Sequence, residues 1–209
     1  MNCNLYVVTD ETLSNGKTHA EISREAVAGG ADMIQLRDKC MDSRALFAAA
    51  KAVAAVCKGR AAFIVNDRVD IALAVGADGV HLGQSDLPAA AVRAMVSDRF
   101  IIGVSVGSPE EAAAAVRDGA DYVAVSPVFS TSSKDDAGAG LGLAMVRAIR
   151  AAIPARVPVV GIGGLNKENA AAAVRAGLDG IAVISAVVSR PDIRFAAAEL
   201  AEIISEAKR

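Results

Sequence analysis

Apolar and polar positions fall along this chain in two interleaved registers. Short, nearly continuous apolar runs occupy positions 5–8, 62–65, 100–104 and 157–162, the form expected of strands buried on both faces. A second set closes each copy of a repeat: A-G-G-A-D-M-I-Q-L at 28–36, A-V-G-A-D-G-V-H-L at 74–82, R-D-G-A-D-Y-V-A-V at 117–125 and R-A-G-L-D-G-I-A-V at 175–183. Each copy has a helix-ending glycine, a turn residue and a β-rich run, which is the sequence form of an αβ connection. Helical spacing fills the gaps at 18–27, 43–56, 69–75, 89–95, 109–117, 143–153, 166–176 and 191–208. The pattern therefore predicts eight strands, each followed by a helix. The repeat glycines, Gly30, Gly76, Gly119 and Gly177, stand too far apart for one βα unit and about right for two.

Strict βα alternation forces parallel strands with right-handed crossovers. A fourfold recurrence of double units suits a closed (β/α)8 TIM barrel better than an open sheet, whose strand order reverses in the middle. No linker marks a second domain, so residues 1–209 are expected to form one barrel. The longest irregular segment, 126–142, follows the sixth strand, and a loop of that length inside a domain is usually functional or mobile.

Composition narrows the class. The chain has 209 residues, a formal net charge of −2, 53% hydrophobic and 3% aromatic residues. The missing basic excess argues against a nucleic-acid surface. Cys3, Cys40 and Cys57 are odd in number without metal-type pairing and read as reduced thiols of a cytoplasmic protein. No apolar run reaches membrane-spanning length and the first residues lack signal-peptide character, so neither a membrane nor export is expected. Oligomeric state stays open, a homo-oligomer included.

In a TIM barrel the chemistry comes from strand C-termini and the loops after them. Those positions are Thr9 and Asp10; Gln35, Arg37 and Lys39; Asn66 and Asp67; His81, Gln84 and Asp86; Ser105; Ser126, Thr131, Ser132, Ser133 and Lys134; Gly163 and Gly164; and Ser185. Asp67 and Asp86 leave neighbouring strands at one edge and could share Mg²⁺, which takes few protein carboxylates and completes its shell with water and phosphate oxygens. Alone, either aspartate reads as a helix cap or a turn residue. Gln35, Arg37 and Lys39 alternate and suit an anionic substrate, unless they pair with Asp38 or Asp42. Gly163-Gly164 after strand seven and Ser185 after strand eight match the recurrent phosphate site of these barrels. His81 fits a core or a site role, His19 opens a helix as a surface residue, Ser105 reads as a hydrogen-bond donor, and 131–134 suits either a solvated loop tip or a phosphate lid.

These motifs resemble the thiamin phosphate synthase family over essentially the whole chain: L-Y-V-V-T-D at 5–10, Q-L-R-D-K at 35–39, V-N-D-R-V-D-I-A-L-A-V-G-A-D-G-V-H-L-G-Q-S-D-L-P at 65–88, G-V-S at 103–105, G-A-D-Y-V-A-V-S-P-V-F-S-T-S-S-K at 119–134, G-I-G-G-L-N and V-I-S-A. The resemblance implies a transferase that joins hydroxymethylpyrimidine diphosphate to a thiazole phosphate, releasing pyrophosphate with Mg²⁺ by a dissociative substitution. It further implies that Gln35, Arg37, Lys39, Asn66, Ser105 and Lys134 hold the pyrimidine diphosphate, Asp67 and Asp86 its Mg²⁺, and Thr131, Ser133, Gly163, Ile184 and Ser185 the thiazole phosphate. Three positions depart from the family's usual pattern. Gly107 stands where many members carry His, Ser126 where Gly precedes P-V-F, and Ser133 where Thr is usual. A thiazole tautomerase of the same fold is expected to use that His as an acid/base, so Gly107 favours the synthase. A non-catalytic thiamin phosphate binder is the remaining alternative.

Overall fold

The computed structural model describes residues 2–131 and 140–209. Strands β1 (Leu5–Val8), β2 (Met33–Leu36), β3 (Ala62–Asn66), β4 (Gly79–Leu82), β5 (Ile101–Val106), β6 (Tyr122–Val125), β7 (Val159–Ile162) and β8 (Gly180–Val183) form a closed, all-parallel barrel in chain order. Helices α1 (His19–Ala28), α2 (Ser43–Cys57), α3 (Val69–Val75), α4 (Ala89–Arg93), α5 (Pro109–Arg117), α6 (Gly142–Ala152), α7 (Ala170–Arg175), α8 (Ser185–Val188) and α9 (Ile193–Ala207) surround it. The expected (β/α)8 TIM barrel is therefore present. Among the described residues no helix is long and apolar enough to cross a membrane.

Strand faces carry β-branched residues because both sides are covered. Val7, Ile34, Ile64, Val65, Val80, Ile102, Val160 and Ile181 are wholly buried, and each such side chain contributes about 1.5–3 kcal/mol relative to exposure. Helix ends follow local chemistry. Thr18 and Glu21 form a reciprocal capping box on α1, Asp42 and Asp192 cap α2 and α9, and Ser108 caps α5 ahead of Pro109. The helical spacing from 166 overestimates α7, because Asn169 folds back to accept the Asn166 N–H at 2.9 Å and delays the first helical turn. The short α8, in the loop after β8, adds a helix that the sequence pattern did not separate from the strand end.

The repeated aspartate has a structural purpose. The carboxylates of Asp32, Asp78, Asp121 and Asp179 accept the backbone N–H of Leu5, Phe63, Ile102 and Val159 at 3.1, 2.8, 2.8 and 2.8 Å. Each thus clasps an odd strand to the even strand that follows it, at the end where strands begin. Arg93 and Arg150 reinforce two clasps through Asp121 at 2.5 Å and Asp179 at 3.1 Å. The cysteines are free; burial pushes the Cys3 thiol up to about 11 and the Cys57 thiol to about 12, so both stay protonated and inert at neutral pH.

His19 departs from expectation. It is 1% exposed rather than a surface residue. With Thr18 taking the cap outside, the imidazole turns inward, its Nδ1 lying 2.7 Å from Thr9 Oγ1 and its Nε2 3.4 Å from Asp38 Oδ2. The contact ties the loop after β1 to the loop after β2.

Candidate active site

A polar column fills the barrel lumen beneath the strand C-termini. Tyr6 of β1 and Tyr122 of β6 belong to strands that are not neighbours, so the 3.1 Å bond between their hydroxyls crosses the interior. Gln35 Nε2 donates to Tyr6 at 2.6 Å, Tyr122 meets His81 Nδ1 at 2.9 Å, and His81 Nε2 meets Ser105 Oγ at 2.9 Å. The imidazole also stacks on the Tyr122 ring, centroids 5.7 Å apart. Gly103 makes this packing fit, because a Cβ there would stand 2.0 Å from Tyr122 Cζ. Burial raises both phenols well above the usual tyrosine range, which keeps them protonated donors. His81 therefore combines the two roles the sequence left open, holding Ser105 from below while bordering a cavity above. Tyr122→Phe removes two buried hydrogen bonds and is expected to cost about 1–3 kcal/mol, read as a fall in melting temperature of about 2–12 °C; an unchanged melt would mean the column bears no stability.

Two cavities open over this column. One, of about 400 Å³, is bordered by Arg37, Lys39, Asn66, Asp67, His81, Gln84, Asp86 and Ser105. Lys39 Nζ lies 2.6 Å from Asp67 Oδ2. Because the Lys39 side chain is 56% exposed, that pair contributes about 0–1 kcal/mol, so the ammonium can exchange a carboxylate for a phosphate at little cost. Asp38 and Asp42, the alternative partners for these cations, are spent locally: Asp38 accepts the N–H groups of Cys40 and Met41, and Asp42 that of Ala45. Among the described residues Arg37 has no carboxylate partner.

The two aspartates adjoin. Asp86 accepts the Gly83 N–H at 2.7 Å. Burial raises the Asp86 carboxyl above the usual range; the Gly83 N–H partly offsets this, and the Asp67 carboxylate, within hydrogen-bonding reach, raises it further. Among the described residues Asp67 is one of two non-glycine residues at positive φ, +61°, and its N–H donates to His81 O at 2.8 Å. That left-handed bend at the end of β3 keeps it from capping α3, whose cap residue Arg68 makes no side-chain capping bond. Two hard oxygen donors side by side, among cations that complement phosphate, fit a divalent cation that brings the rest of its shell with its ligand. Among the described residues no three His, Cys, Asp or Glu side chains group to form an all-protein metal cage.

The other cavity, of about 300 Å³, is lined by Thr131, Gly163, Gly164, Ile184 and Ser185, with apolar walls from Ile162, Leu165, Ala182 and Val183. Gly163 (φ +97°) and Gly164 (φ +62°) press against the segment after β6, where added Cβ atoms would meet Pro127 Cβ at 2.6 Å and Phe129 Cβ at 2.7 Å. Phe129 N–H donates to Gly163 O at 3.0 Å. Ser126 and Pro127 line both cavities and form the wall between them.

Gln35 lines neither cavity: it lies within β2, and its side chain turns into the lumen beneath them to reach Tyr6. Thr9 is buried against Gln35 O, and Asp10 caps a turn through Thr12 and Leu13. Ser132, Ser133 and Lys134 lie outside the described residues. Sequence reasoning missed Glu111, whose carboxylate accepts the Gly107 N–H at 2.7 Å beside the larger cavity; its spacing from Ser108 was the available signal.

The family described as thiamine monophosphate synthase matches residues 5–187. Similar proteins include the thiamine-phosphate synthases of Methanoregula boonei, 54% identical over 209 residues with 100% of this chain and 96% of the relative covered, and of Methanoculleus marisnigri, 53% identical over 209 residues with 100% and 98% covered. Among solved structures, thiamine phosphate pyrophosphorylase from Pyrococcus furiosus superposes with a TM-score of 0.89 at 42% identity, covering 99% of this chain and 97% of that one.

Proposed function

This chain belongs to the thiamine monophosphate synthase family, and from that premise we propose that its two cavities hold hydroxymethylpyrimidine diphosphate and a thiazole phosphate side by side for condensation to thiamin phosphate and pyrophosphate. The observation that carries this reading is the shared wall at Ser126 and Pro127, which sets a cation- and carboxylate-lined cavity next to a glycine-lined one. Reacting groups held in adjoining compartments gain the proximity advantage of a bound pair over a bimolecular encounter.

In this mechanism Arg37 and Lys39 grip the diphosphate, Arg as a planar fork and Lys as a point charge. Asp67 and Asp86 would hold Mg²⁺, which supplies charge neutralisation for the departing pyrophosphate. Ser105, aimed by His81, and Asn66 orient the pyrimidine end. Backbone N–H groups around Gly163, Gly164, Ile184 and Ser185 receive the thiazole phosphate, with Thr131 at the rim. Bond breaking at the pyrimidine methylene leaves a cationic carbon, and the thiazole nitrogen then forms the new C–N bond. No protein nucleophile is needed, so the side chains act by positioning and charge. Ser133 and Lys134 are assigned to the thiazole phosphate and the diphosphate, respectively, from the family pattern. The thiazole tautomerase alternative lacks its acid/base: position 107 is glycine, with its N–H engaged by Glu111.

The test mixes both substrates with and without Mg²⁺ and follows pyrophosphate. Metal-dependent release is expected. Release at the same rate after chelation, or no release at all, would overturn the proposal.

A further inference from the structure

We propose that Arg190 is the side-chain anion grip of the smaller cavity, and that it makes this chain select a phosphorylated thiazole over the corresponding alcohol. The inference rests on the phosphate-site reading above. Glycines and backbone amides line that cavity, and among its described lining residues Arg190 carries the one charged side chain. Among the described residues no carboxylate lines it. Among the described residues, a phosphate dianion placed there thus meets a single cation and no repulsive side chain.

Placement of Arg190 follows from the chain path. After β8 the chain winds through α8, and the Arg190 N–H donates to Val187 O at 3.1 Å, extending the turn by one step. Pro191 then stops it. Arg190 stands one helical turn beyond Ala186, which lines the same cavity. Both residues also border the neighbouring surface hollow beside α9.

The acidic groups of that hollow do not compete for the guanidinium. Asp192 is committed to the Phe195 N–H at 2.8 Å, and Glu199 to Lys167 at 3.1 Å. Among the described residues Arg190 forms no ion pair. An exposed, unneutralised guanidinium offers a fork of N–H donors matched to two phosphate oxygens, a geometry that lysine does not reproduce.

The experiment compares wild type, R190Q and R190K in steady-state turnover and in calorimetric binding of thiazole phosphate, the thiazole alcohol and inorganic phosphate. R190Q is expected to weaken thiazole phosphate binding and raise its KM by about 10-fold or more, with binding of the alcohol little changed and R190K intermediate. The KM for pyrimidine diphosphate should move by less than about twofold. Equal thiazole phosphate binding by wild type and R190Q would overturn the inference, as would a parallel rise in both KM values. If wild type releases no pyrophosphate but R190Q still binds the phosphate more weakly, the reaction assignment falls and the grip stands. If turnover is normal and R190Q binds as wild type, the grip alone falls.

Discussion

Replacing Asp86 with alanine is expected to lower pyrophosphate release by about 10²–10³-fold, on the scale of losing one preorganised electrostatic contact to the leaving group. The carboxylate has two duties: it faces Asp67, and it fixes the turn at Gly83 through the backbone N–H. Asp86→Asn separates them, because an amide oxygen can still accept from Gly83 but brings no charge. If the charge is what counts, Asn and Ala variants lose similar activity, and both need more Mg²⁺ to reach half their maximal rate. Activity restored by Asn would reassign Asp86 to the turn. An alanine variant with wild-type rate and metal dependence would remove the metal pair from the mechanism.

Arg37→Ala should reduce kcat/KM for the pyrimidine diphosphate by about 100-fold, the scale of removing a charge-assisted, two-pronged contact to phosphate. Stability should barely change. Arg37 lies past the end of β2 without a carboxylate partner among the described residues, and such substitutions usually stay within about 0.5 kcal/mol, or about 1–2 °C for a chain of this size. Arg37→Lys keeps the charge but loses the fork and should recover part of the rate. A drop of many degrees in the melt would instead mark Arg37 as a scaffold residue.

The barrel and its chemical edge were legible because both are periodic or positional signals. Apolar runs of strand length alternate with helical spacing, and apart from the repeated aspartate at the strand starts the polar residues that interrupt them gather at one end. Asp67, Asp86, Arg37 and Lys39 could be placed together from strand order alone, and the structure brings them around one cavity. Signals that join distant residues were not legible. The Tyr6–Tyr122 bond spans 116 positions, and a tyrosine in an apolar run looks like any other core residue. His19 was misread because a polar residue at a helix start is usually solvated, whereas here Thr18 takes the cap and frees the imidazole to turn inward. Gln35 was grouped with Arg37 and Lys39 by strand alternation, but it lies inside β2 and reaches Tyr6 in the lumen, while the other two stand past the strand end at the cavity. Arg190 lay beyond an unforeseen turn of helix, so nothing in the spacing tied it to Gly163 and Gly164.

Each aspartate clasp joins two strands within the same βαβα quarter: β1 to β2, β3 to β4, β5 to β6 and β7 to β8. None reaches across a boundary between quarters. A quarter therefore brings its own Asp-to-strand bond, which recombination between related chains at those boundaries transfers intact, whereas the reinforcing Arg93 and Arg150 come from the preceding quarters. The loops at the opposite rim are left free to diverge in specificity while closure of the ring is preserved.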